Sequence, residues 1–158
     1  MYQKIMVPLD GSELAECVLP HVEAIATGCK VAGVVFARVM RPIHLQANVP
    51  ADGILGFNEE KLKQMEEQRK QAADSYLKKI VGSTRIEGAA LSYEVLEGSV
   101  ATTLSHWAEK NGVDLIVIAS HGRSGISRWV YGSVADRVLR SACAPVLMIR
   151  APGCESGI

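Results

Sequence analysis

With 158 residues, 48% of them apolar and 22% charged, the chain has the size and hydrophobic content of one compact domain with its own core and leaves little room for a second. Seventeen basic and seventeen acidic residues cancel, which removes any global pull toward nucleic acid or an anionic membrane, so anion binding has to be local. No charged segment followed by an apolar one opens the chain, and no apolar run approaches the roughly 20 residues of a membrane span; the expectation is a soluble, cytoplasmic protein.

Lys4 to Leu9 is a short apolar run that stops at the turn Asp10-Gly11-Ser12, and helix formers follow from Glu13 to Ala26. Ser12 is positioned to cap that helix, while Leu14, Val18, Val22 and Ile25 recur at the spacing of a buried face. Thr27-Gly28 reads as its stop, and Lys30 to Val39, rich in β-branched residues, as a second strand. Met40 to Asn58 holds two prolines, two glycines and no sustained period, so it reads as a long loop of the length usually kept for function. From Glu59 to Val81 charged helix formers predict a surface helix with Leu62, Met65, Arg69, Ala72, Tyr76 and Ile80 on one face and a solvated charge run on the other.

Gly82 to Gly88 turns the chain, Ala89 to Leu96 supplies a third strand, and Glu97-Gly98-Ser99 leads into a helix from Val100 to Asn111 that Gly112 stops. Asp114 to Ala119 is near-continuously apolar, as expected of a strand buried on both faces of a parallel sheet. A helix from Ser133 to Ser141 and a fifth strand from Pro145 to Arg150 complete a domain over residues 1–150, and residues 151–158 read as a flexible tail. Strands alternating with helices predict an α/β protein: a single open five-stranded parallel sheet with helices on both faces. Ligands of such sheets sit outside the carboxyl ends of the strands where strand order reverses, which singles out the loop at Asp10-Gly11-Ser12 and the loop starting at Ala119.

That second loop, Ser120 to Val134, concentrates glycines, hydroxyls and two arginines. Gly122 and Gly125 permit positive φ and close backbone approach, and Gly132-Ser133-Val134 opens a helix whose free N–H groups favour an anion. Ser133 can cap the helix and offer its hydroxyl to a phosphate, with Arg123 or Arg128 adding charge. On the residues alone, an ordinary turn with an N-cap and a phosphate cradle are equally good readings. The loop contains neither a GxxxxGK[ST] P-loop nor a GxGxxG fingerprint, and Ser124 misses the GxSxG spacing of a nucleophile elbow.

Val7-Pro8-Leu9-Asp10-Gly11-Ser12, then Ala119-Ser120-His121-Gly122, nine further residues and Gly132-Ser133, and finally Ala144-Pro145-Val146-Leu147-Met148-Ile149 together resemble the universal stress protein family in order, spacing and length. The resemblance implies a Rossmann-like fold of the adenine nucleotide alpha hydrolase-like type, homodimers that pair their last strands, and a nucleotide-binding branch marked by G-x-x-G-x9-G-[ST]. Gly122, Gly132 and Ser133 fit that pattern, and Ala119 stands where its first glycine would be. By the same resemblance Pro8, Leu9, Asp10 and Val39 would serve the base side of ATP or AMP and Ile118 the ribose. Ala119, His121, Gly122, Arg123, Gly125, Gly132, Ser133 and Val134 would then surround the phosphates, with Mg²⁺ arriving on ATP. If position 119 required positive φ, its methyl would cost about 1 kcal/mol, a roughly five- to tenfold loss of affinity. At negative φ the cost would be small.

The last strand, Val146 to Ile149, would lie at a sheet edge, where pairing with a second copy would satisfy it. A regulatory nucleotide-binding homodimer is the leading expectation. A slow ATPase or self-phosphorylating protein using Ser124 or Ser133 lacks a visible base, and a nucleotide-free dimerisation module is the third alternative. No catalytic residue and no protein-borne metal site is predicted. Cys17, Cys29, Cys143 and Cys154 form no CxxC pair and read as buried or inert thiols, and His21, His44 and His106 lack companions at metal-ligand spacing. Trp107 and Trp129 are read as helix contacts rather than nucleic-acid stacking platforms.

Overall fold

Runs of Val, Ile, Leu and Ala with no polar interruption make the inner strands, because only residues that tolerate burial on both sides can stand between two helical layers. The computed structural model describes residues 1–43, 59–120 and 133–150. Its elements are β1 (Lys4–Pro8), α1 (Glu13–Glu16), α2 (Leu19–Cys29), β2 (Gly33–Met40), α3 (Glu59–Ser83), β3 (Ala90–Glu97), α4 (Val100–Lys110), β4 (Leu115–Ala119), α5 (Ser133–Ser141) and β5 (Val146–Ile149). The strands form one sheet in the order β3-β2-β1-β4-β5, with every neighbouring pair parallel.

Alternation along the strands sorts side chains between two cores. Ile5, Val7, Leu9, Val34, Phe36, Val117 and Ala119 meet Ala15 of α1, Val22 of α2 and Leu77 and Ile80 of α3 on one face. Met6, Val35, Ala37, Ile116 and Ile118 meet Ala101, Leu104 and Ala108 of α4 and Ala135 and Val138 of α5 on the other. A hydrogen bond between the hydroxyls of buried Ser105 and exposed Ser141, 2.8 Å apart, ties α4 to α5. Helices therefore cover both faces, as the sequence predicts, and β5 lies at a sheet edge with Leu147 exposed. Among the described residues no helix is long and apolar enough to cross a membrane.

Three local expectations are corrected. The helix expected from Glu13 to Ala26 is two helices, because Pro20 has no N–H to give the carbonyl of Glu16 and sits instead in the first turn of α2. That helix runs through Gly28 to Cys29, and Lys30 rather than a glycine takes the left-handed cap (φ 52°), with the N–H of Val31 bonded to the Ala26 carbonyl; β2 accordingly starts at Gly33. The inner face of α3 is Ala73, Leu77 and Ile80 with Tyr76 half-buried, while Met65, Arg69 and Ala72 are exposed. A 25-residue helix is about 37 Å long and the 8-residue β3 beneath it about 26 Å, so about two turns of the helix outrun the strand.

His21 and His106 lie on the surface, and Trp107 packs against the α4 side of the core under the Lys4 ammonium, 5.4 Å from its ring centre. Cys17 and Cys29 are half-buried, whereas Cys143 is exposed rather than buried, in the turn between α5 and β5. His44, Trp129, Cys154, most of the Met40 to Asn58 stretch and the 151–158 tail lie outside the described residues.

Candidate functional site

β1 and β4 are neighbours although β2 and β3 intervene in sequence, so strand order reverses between them and their carboxyl-end loops leave the sheet side by side. The loop after β1 is ordered by short-range bonds. Asp10 Oδ1 accepts from the Ser12 N–H at 3.0 Å and from its hydroxyl at 2.6 Å, and the Ser12 oxygen in turn accepts from the Ala15 N–H at 3.2 Å, capping α1. Gly11 between them has φ +87°, and a side chain there would stand 2.9 Å from the Arg38 guanidinium. That guanidinium lies over the Tyr76 ring, 5.3 Å from its centre, and the Tyr76 hydroxyl donates to Glu16 at 3.0 Å. Burial, reinforced by the Glu16 bond and charge, pushes the Tyr76 hydroxyl well above the ordinary tyrosine range, so it stays a neutral donor. The loop's own Asp10, Glu16 of α1 and Arg38 of β2 thus gather two carboxylates and a cation at one place.

On the other face a cleft of about 340 Å³ opens at the same end of the sheet. It is lined by Arg41 and Pro42 beyond β2, Gly98 and Ser99 beyond β3, Val100 and Ala101 in the first turn of α4, and Val134 and Arg137 of α5. The Gly98 N–H donates to the Met40 carbonyl at 2.9 Å, which brings the exits of β2 and β3 together. Gly98 itself has φ +137°, and a Cβ there would meet the Thr103 hydroxyl at 2.6 Å. The volume is in the range of small-molecule sites, and apolar walls with a few polar groups at the mouth are their usual lining.

The predicted site residues separate by face. Val39 and Ile118 pack on the α4–α5 side that holds the cleft, and Val134 lines the cleft itself. Pro8 is buried at the end of β1, and Asp10 is half-buried in the loop beyond it. Leu9 and Ala119 turn their side chains into the opposite core, with the Leu9 N–H bonded to the Ala37 carbonyl at 2.8 Å. Ala119 is an extended strand residue paired with Ile149 and not a positive-φ position, so its methyl carries none of the strain that a left-handed alanine would. His121, Gly122, Arg123, Gly125 and Gly132 lie outside the described residues, and Ser133 is the first residue of α5. Sequence reading missed Arg41, Pro42, Gly98 to Ala101 and Arg137. The signal for most of them was available, since the loops after the second and third strands leave from the same carboxyl edge.

Residues 1–150 match the family model of the universal stress protein family. Universal stress protein MJ0531 of Methanocaldococcus jannaschii is 33% identical over 155 residues, covering 98% of this chain and 86% of that one. The solved structure of MJ0577 from the same organism superimposes with a TM-score of 0.71 at 27% identity, over 97% of this chain and 99% of the other. A universal stress protein from Archaeoglobus fulgidus, solved in complex with dAMP, has a TM-score of 0.60 at 22% identity, over 94% and 98% of the two chains.

Proposed function

Since this chain belongs to the universal stress protein family, we propose that it is a cytoplasmic, regulatory homodimer that binds an adenine nucleotide, ATP or AMP, at the carboxyl end of its sheet. The observation that carries this reading is the cleft of about 340 Å³ between the exits of β2 and β3 and the start of α5, because Val134, one residue into α5, is part of its wall. In the proposal Pro8, Asp10 and Val39 serve the base and Ile118 the ribose. The phosphates lie toward Gly122, Gly132 and Ser133 at the start of α5, with Mg²⁺ bound to ATP through phosphate oxygens. The extended backbone at Ala119 supports retained binding, and the dAMP complex of the Archaeoglobus relative supports an adenine ligand. Subunits pair through the exposed edge of β5, Val146 to Ile149. Regulation follows from occupancy alone, as ligand selects among loop conformations, and needs no chemical step.

Isothermal titration with ATP and AMP, with and without Mg²⁺, on protein stripped of co-purified nucleotide tests the reading. Saturable micromolar binding that Gly122→Val abolishes is expected. Absence of binding up to millimolar nucleotide overturns it.

A further inference from the structure

The cleft carries a charge pattern that recognition of a base does not require. Among its described lining residues two are arginines, Arg41 just beyond β2 and Arg137 in the second turn of α5, and none is an acid. Among the described residues neither guanidinium has a hydrogen-bond or ion-pair partner. The acids nearest in sequence are unavailable: Asp136 is held by Arg140 at 3.1 Å, and Glu97 alternates onto the opposite face of β3 from the cleft-side Leu96. In a chain whose charges sum to zero overall, two cations without a partner among the described residues at one mouth are a local anion-selective feature. The Ser99 hydroxyl beside them makes no capping bond and is free to donate.

Their placement is fixed by the fold. The Gly98–Met40 hydrogen bond sets Arg41 against Ser99, and the Ser105–Ser141 contact sets α5, with Arg137, against α4. Arg137 is one helical turn after Ser133, so it follows the proposed phosphate position along α5. Guanidinium groups are well suited to phosphate because their planar donors match its oxygens and their charge persists at every physiological pH.

We propose that Arg41 and Arg137 form a phosphate-reading subsite that makes the site discriminate nucleotides by the charge of their phosphate tail, favouring ATP over AMP and AMP over adenosine. The inference rests on the nucleotide-binding reading above and adds the specificity-determining residues. Arg41→Met and Arg137→Met each weaken ATP binding roughly tenfold and leave adenosine within about twofold, so the ratio of the two affinities collapses. The lysine variants recover part of the loss, as does low salt.

The test is titration of wild type and the four variants with ATP, AMP, adenosine and inorganic tripolyphosphate. Thermal unfolding without ligand confirms that each variant is folded. Equal losses for ATP and adenosine, or no loss for either, overturn the proposal. If wild type binds tripolyphosphate in an arginine-dependent way and binds no adenine nucleotide, the subsite stands and the nucleotide reading falls. If wild type binds adenine nucleotides with arginine-independent discrimination, the reverse holds.

Discussion

At the amino ends of the strands Asp114 takes the backbone N–H of Gln3 at 2.7 Å and of Lys4 at 3.1 Å, residues 111 and 110 positions away, whereas at the carboxyl ends Asp10 bonds to Ser12, only two positions on. The Lys4 ammonium adds a second long-range tie, donating to the Asn111 carbonyl at 3.1 Å. One aspartate therefore closes the sheet between β1 and β4, and the other shapes a single loop. Long-range staples belong to the global folding unit, while locally bonded loops can rearrange without unfolding the sheet beneath them. A binding site at the carboxyl end gains a rigid floor and an adaptable rim from this division.

The comparison breaks first at Asp114. Asp114→Ala removes two charge-assisted bonds, one exposed and one part-buried, and is expected to cost about 2 kcal/mol, lowering the thermal midpoint by roughly 4–8 °C while nucleotide affinity stays within about twofold. An unchanged midpoint with weakened binding would invert the assignment of the two ends. Gly11→Ala comes next at about 1–2 kcal/mol, because a methyl at φ +87° is strained and must displace the Arg38 guanidinium. Denaturant unfolding checks this value, and Arg38→Met in the same chain removes the steric part while leaving the backbone part. Asp10→Ala is expected to cost about 1 kcal/mol of stability, since its hydrogen bonds to Ser12 close a turn of three residues, yet to weaken ATP binding at least about tenfold. Stability and affinity falling together at Asp10 would mean that this end is stapled as firmly as the other.

The strands were legible because burial on both faces leaves a signature no loop imitates: Leu115 to Ala119 and Lys4 to Pro8 stand out from composition alone. The break at Pro20 was legible too, but helical spacing at Leu14, Val18 and Val22 masked it, since periodicity is indifferent to a missing N–H. The inner face of α3 was not legible. Which residues of a long helix are buried depends on how far the sheet extends under it, a property of other segments. The same holds for the cleft: Arg41 and Arg137 belong to no motif and meet only because a Gly98 bond and a serine pair fix two distant segments. Ala119 illustrates the opposite case. Strand alternation from the cleft-side Ile118 already places its methyl on the far face, so the fate of the family's first glycine position was readable from the period of 2.

Tyr76 supplies the finest probe of the rim, because it lies under Arg38, donates to Glu16 and feels the charge of Asp10. Its hydroxyl is raised by burial first and by Glu16 second, so the folded chain holds this proton more tightly than the unfolded chain does. The resulting stability is fully present below the ordinary tyrosine value of about 10 and is lost as pH rises toward the folded value. Urea midpoints measured from pH 8 to 11.5 should fall more steeply for the parent than for Tyr76→Phe. Tyr93, raised by its bond to Asp74 and then by burial, acts in the same direction, so both proteins carry Tyr93→Phe. Parallel curves would mean that the Tyr76 hydroxyl titrates alike in the two states, and that the Arg38–Tyr76–Glu16 array is too open to water to brace the Asp10 loop. Diverging curves would locate the brace on the α3 side of the sheet, leaving the opposite face, with Arg41 and Arg137, as the side that answers to ligand charge.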